Sequence, residues 1–87
     1  MTLYEILGLH REKAMSSHRK VNSATGFDGK KIFRADKVIS IYGVIATIED
    51  MWHQGRDGTI IKTDIAPDPE FPNHRSGDAK RMFRKHI

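Results

Sequence analysis

The chain contains no cysteine in its 87 residues, which excludes disulfide frameworks, thiolate zinc sites, iron–sulfur clusters and cysteine nucleophiles and fits a reducing compartment. Its stability has to come from packing. Long apolar runs are also missing: the longest, residues 38–48, is interrupted by Ser40 and Thr47 and falls far short of the ~20 residues a membrane-spanning helix needs. The opening Met1-Thr2-Leu3-Tyr4-Glu5 has neither the basic nor the apolar region of a secretory signal. A cytosolic location without a membrane partner is therefore expected. Proline is scarce and confined to Pro67, Pro69 and Pro72. No nucleophile elbow, P-loop, dinucleotide fingerprint or zincin motif occurs, so neither an enzyme nor a cofactor is expected. The residual catalytic possibility is a metal-independent ribonuclease drawing on His10, His18, His53, His74 and His86, since such chemistry needs only a base, an acid and a cation. Glu49 and Asp50 lie four and three residues before His53. That spacing would supply too few ligands for a metal site, and none is expected.

What the chain does have is charge, unevenly spread. Residues 1–37 carry eight Lys/Arg and four Asp/Glu, residues 38–70 two against six, and residues 71–87 five against one. The three segments sum to +4, −4 and +4. Such segregation suits an acidic partner at the ends, an internal match between ends and middle, or head-to-tail association into a homo-oligomer.

Periodicity predicts the elements of one small domain spanning 1–87. Thr2 and Glu5 have capping-box spacing, and Leu3, Ile6, Leu7, His10 and Ala14 recur at helical intervals, predicting a first helix over 3–20. Seven of the eleven residues in 38–48 are β-branched, and Asp57-Gly58 precedes Thr59-Ile60-Ile61 as a hairpin signal. These features predict an antiparallel meander of strands over 31–35, 38–53 and 59–65, with Gly43 bending the middle strand. The alternative is a mostly α protein, because Val38, Ile41, Ile45, Ile48 and Trp52 also fit a helical stripe that would make 37–54 a central helix. Residues 66–75 read as a proline-rich connector. Beyond it, Ser76 is placed to cap a last helix with Ala79, Met82, Phe83 and His86 on one face and Lys80, Arg81, Arg84 and Lys85 on the other. The expected fold is thus α+β, a three-stranded meander flanked by an N-terminal and a basic C-terminal helix.

The basic helix face is the sharpest candidate site, since four cations on one side of a helix can reach successive phosphates. The plainer alternative is that they offset the helix dipole and keep the protein soluble. Arg75, Arg11, Lys30 and Lys31 are the supporting cations, while Arg11 and its neighbours Lys13, Arg19 and Lys20 point several ways round their helix. Trp52, Phe71 and Phe83 are assigned to the interior, with stacking on bases as the functional alternative. Gly55-Arg56-Asp57-Gly58 followed by Thr59-Ile60-Ile61-Lys62 resembles, over eight residues, the GxxG loop of KH domains, which bind RNA or single-stranded DNA. The same residues read as an ordinary tight turn, and Pro67 follows too soon for the helix that family requires. The order helix, three strands, basic helix is also similar to that of double-stranded-RNA-binding domains. The expected function is non-enzymatic binding of nucleic-acid phosphate without strong sequence specificity. The alternative is a protein-binding regulator or inhibitor, of the size phages and mobile elements encode, matched by charge to an acidic protein surface.

Overall fold

The computed structural model of the protein describes residues 18–55 and 58–87. Its strands are β1 His18–Lys20, β2 Ser23–Thr25, β3 Lys31–Phe33, β4 Lys37–Ser40, β5 Ile45–Gln54, β6 Gly58–Thr63, β7 Ser76–Asp78 and β8 Phe83–Lys85, with one helical turn, α1, over Ala79–Met82. The main sheet runs β7-β6-β5-β4-β8, β1 joins it by pairing with β5, and β2 and β3 form a separate hairpin. All these pairings are antiparallel.

This mostly β architecture overturns the α+β expectation and its mostly α alternative alike. Residues 37–54 are not a helix, nor are 38–53 one strand. They form the β4–β5 hairpin, with Gly43 at φ +82° in the turn between them instead of bending a continuous strand. Residues 76–87 hold one helical turn between two strands, so the basic C-terminal helix does not exist. Of the expected N-terminal helix, residues 3–17 lie outside the described residues, and 18–20 are strand.

The short connection from β7 to β8 sets the shape of the sheet. In a flat sheet, four strand spacings of about 4.8 Å would part these strands by about 19 Å, whereas a four-residue helix rises about 6 Å. The sheet must therefore curl, and β5 supplies the corner. Its pairing with β6 shifts register between Ile48 and Asp50, a bulge at Glu49 that bends the strand. Before the bulge, β5 pairs with β4. After it, the same edge pairs with β1. Inside the curl lie Ala24, Ile32, Val38, Ala46, Met51, Ile61, Ala79 and Phe83, with Val21, Ile48 and Met82 packed against them. Phe83 is fully buried, as expected of it, whereas Phe71 is 56% exposed and Trp52 is half-buried on the outer face. The Trp52 indole N–H donates to Gln54 Oε1 at 3.2 Å.

Buried hydroxyls and one guanidinium join the parts. Ser40 Oγ donates to the Pro67 carbonyl at 2.7 Å and accepts the N–H groups of Tyr42 and Val44. Thr63 Oγ1 shares its one hydrogen between the Ile65 carbonyl at 2.6 Å and the Arg75 carbonyl at 3.1 Å. Both ends of the proline-rich connector are tied down in this way. Arg34, in the β3–β4 turn, donates through Nε to the Val21 carbonyl at 2.7 Å, through Nη2 to the Met51 carbonyl at 2.7 Å, and through Nη1 to Asp50 Oδ1 at 3.2 Å.

Two stability outcomes follow from this packing. Only a planar fork reaches all three Arg34 acceptors, so Arg34→Lys is expected to lose about 2 kcal/mol in urea unfolding, roughly two hydrogen bonds. A Cβ at Gly26 would lie 2.8 Å from the Phe83 carbonyl oxygen and 2.9 Å from Arg84 Cα. Because these are backbone atoms that cannot swing aside, Gly26→Ala is expected to lower the urea midpoint by an amount equivalent to about 1–3 kcal/mol, the usual cost of overpacking.

Candidate nucleic-acid interface

The concave face of β1, β5 and β6 continues past the core. Val21, Met51 and Ile61 turn inward, and residues two positions along each strand share that face. Those residues are Arg19, His53 and Thr59, which stand in one cross-strand row. The order of this row follows from the β5–β6 hairpin register.

A second pair of strands brings another cation to this end. In the β2–β3 hairpin, Ala24 and Ile32 are buried opposite one another, so the next pair, Thr25 and Lys31, faces out. Gly26 lets this hairpin close on β8, where the Phe27 N–H donates to the Phe83 carbonyl at 2.8 Å. Asp78 then caps α1 by accepting from the N–H groups of Lys80 and Arg81 at 2.9 and 3.2 Å, which directs the chain so that Lys80 adjoins Thr25 and Thr59. Thr25, Gly58, Thr59, Ala79 and Lys80 line one cleft of about 200 Å³.

The expected site residues are thus divided. Lys31 and Lys80 come together through Thr25, with Lys30 on the same hairpin and Arg81 on the same helical turn. Arg84 and Lys85 do not join them. Arg84 sits on β8 opposite Ile39 with its Nη1 donating to the Lys85 carbonyl at 3.2 Å, and Lys85 Nζ lies 3.8 Å from Asp36. Arg75 pairs with Glu49 at 3.5 Å near the far end of β6. Arg11 lies outside the described residues, as do Arg56 and Asp57 of the GxxG resemblance. A strand, β6, follows that turn where a KH domain would have a helix. The similarity to double-stranded-RNA-binding domains lapses with the missing C-terminal helix.

Arg19, His53, Thr25 and Thr59 were not singled out as a group from the sequence. A two-residue turn at Asp57-Gly58 would set His53 opposite Lys62, whereas Gly58 already pairs with Gln54 and His53 with Thr59, and nothing local places Thr25 or Lys80 beside them. Among the described residues, Arg19, Lys30, Lys31, Lys80 and Arg81 have no carboxylate partner, in contrast to Lys20, Arg34, Arg75 and Lys85. Asp64, Asp68 and Glu70 lie beyond the opposite end of β6, and its six residues span about 20 Å at 3.4 Å each. Asp28 and Asp78 offset two of the five cations at the Gly58 end, which leaves the described part of the molecule net basic at one end of β6 and acidic at the other.

That acidic end adjoins apolar surface. Pro67, Phe71, His74 and Met82 line a cleft of about 340 Å³. Ile41 and Tyr42, both more than half exposed, adjoin it through the Ile41 N–H, which donates to the Met82 carbonyl at 2.9 Å. No group of three or more potential metal ligands occurs among the described residues, and no described helix is long and apolar enough to cross a membrane. No family model matches the chain, and no match to a curated protein or a solved structure was found.

The strongest charge pairing lies on the outer face. Lys20 Nζ is 2.5 Å from Asp50 Oδ2, and Arg34 Nη1 is 3.2 Å from Asp50 Oδ1. The Lys20 ammonium above all, then the Met51 N–H and Arg34, hold the Asp50 carboxyl down to about 2 from its ordinary 3.8. A carboxylate with a depressed folded-state pKa contributes stability above its unfolded value and loses it as pH falls. Lys20 is well exposed, so screening reduces the contribution to about 1 kcal/mol. Thermal unfolding should thus show a loss of stability between about pH 4 and pH 2 that is shallower in Asp50→Asn.

Proposed function

We propose that this protein is a non-enzymatic, cytosolic module that binds nucleic acid through its phosphate backbone, without reading sequence. The observation that carries this reading is the gathering of Arg19, Lys31 and Lys80 at one end of the curled sheet, among described residues that offer them no carboxylate. Lys30 and Arg81 widen the same surface. Cations already neutralised by the protein's own carboxylates release few counterions on binding, whereas unneutralised ones release them fully. Nonspecific affinity suits such a surface, because base edges are read by side chains reaching into a groove and phosphates are read by charge alone.

The alternative, a protein-binding regulator, is favoured by the half-exposed Ile41, Tyr42 and Phe71 around the cleft near Met82. A contiguous apolar surface of this kind marks protein contacts more often than nucleic-acid ones. Capture from a native extract with and without nuclease separates the readings, as only a protein partner survives digestion.

Five phosphate contacts imply a log–log salt slope of about −4.5 on duplex DNA. Lys31→Gln combined with Lys80→Gln should make the slope shallower by about 2, while Lys37→Gln, at a distance from the site on β4, should leave it unchanged. Affinity that is independent of salt rules the reading out.

A further inference from the structure

We infer that the cleft between β2, β6 and α1 is a seat for a single phosphate group, held by the Thr25 and Thr59 hydroxyls and the Lys80 ammonium. The inference rests on the nucleic-acid reading and makes it specific, converting a diffuse field into one defined contact. Size is the first argument. At about 200 Å³ the cleft is smaller than the roughly 300–1,000 Å³ of sites that engulf a whole small molecule. It holds the volume of about six or seven waters, enough for a phosphate and its ester oxygens but not for a base and sugar.

Chemistry is the second argument. Among the described residues, those lining the cleft with polar side chains are Thr25, Thr59 and Lys80, with no carboxylate, so they offer a metal cation no ligand of opposite charge, and an apolar ligand would strand the polar groups. The Thr63 hydroxyl is spent on the carbonyls of Ile65 and Arg75. By contrast, the hydroxyls of Thr25 and Thr59 make no hydrogen bond within the described residues. The N–H groups of Lys80 and Arg81 are already taken by Asp78, so the seat works through side chains.

Position is the third argument. Thr25 is the cross-strand partner of Lys31, and Thr59 stands in the row with His53 and Arg19. A phosphate in the seat would have cations on both sides, placed for the neighbouring phosphates of a strand. Three separate elements supply the donors, which suits the tetrahedral spread of a phosphate's oxygens, two unesterified in a backbone diester and three in a terminal monoester, better than the coplanar pair of a carboxylate.

The test uses uncharged substitutions, because a diffuse field is indifferent to a hydroxyl. Thr25→Val with Thr59→Val preserves shape and strand propensity, and its fold is checked by circular dichroism and by single hydroxyl variants. Binding is measured on one oligonucleotide sequence with a 5′-phosphate and with a 5′-hydroxyl, alongside amide shifts at Gly58 and Thr59 on adding inorganic phosphate.

The expected result is affinity about tenfold weaker in the double variant with the salt slope unchanged, together with phosphate-dependent shifts that the variant abolishes. Dependence on the 5′-phosphate would identify the bound group as terminal, and indifference to it as internal to the backbone. Unchanged affinity in the folded double variant, or Gly58 and Thr59 amides that ignore phosphate, overturns the seat. If the unaltered protein ignores both oligonucleotides while those amides still shift with phosphate, the nucleic-acid reading fails and the seat stands.

Discussion

Arg34 stands in for a strand. One edge of β5 is shared end to end by β4 and β1, and between them lies the stretch around the Glu49 bulge, where no strand among the described residues is paired. Backbone groups left bare beside a core cost as much as a lost hydrogen bond. The Arg34 fork fills that gap beside the Val21 N–H, which also donates to the Met51 carbonyl, and it reaches the Met51 carbonyl on β5, the Val21 carbonyl after β1, and the Asp50 carboxylate. Because Arg34 belongs to the β3–β4 turn, one side chain holds the two halves of the edge and the small hairpin in a fixed relation. The basic end of the sheet depends on it, since Arg19 lies on β1 and Lys31 on β3.

The separation of charge along β6 is a product of the fold as much as of the sequence. Basic residues from both ends of the chain meet at the Gly58 end, while the acidic connector, anchored through Ser40 and Thr63, is held at the other. Lys85 and Arg75, which belong to the same basic ends, are withdrawn by Asp36 and Glu49. Part of the +4, −4, +4 pattern of the chain thus becomes a polarity of the described residues, with some of its charge quenched on the way.

Part of this could be read from the residues. The β-branched run over 38–48 does supply strand at both of its ends, in β4 and β5, and a hairpin does join β5 to β6, although Gly58 belongs to β6 itself and pairs with Gln54. The break at Gly43 escaped notice because Ile41, Tyr42 and Val44 continue the apolar pattern through the turn. The C-terminal helix failed for a different reason. Ala79, Met82 and Phe83 have helical spacing and all pack inward, but Phe83 leaves helical geometry at φ −126°, ψ 153° to pair with β4. That choice is made by an edge more than forty residues away, which local periodicity does not contain. The same holds for the candidate site, where Lys31 and Lys80 were legible as cations but their meeting depends on Gly26 pressing against the backbone of β8.

The short strap between β7 and β8 has a further consequence, for self-association. A sheet normally ends in two exposed strands that can template pairing with another chain. Here the outermost strands are three residues each and are drawn toward one another, and β8 receives the Phe27 N–H along its free side. Among the described residues the outer side of β1 is also unpaired, and this strand carries Arg19 and Lys20. Short, charged edges such as these discourage strand addition, so the described part of the molecule favours contact between copies through side-chain surfaces over shared backbone ladders.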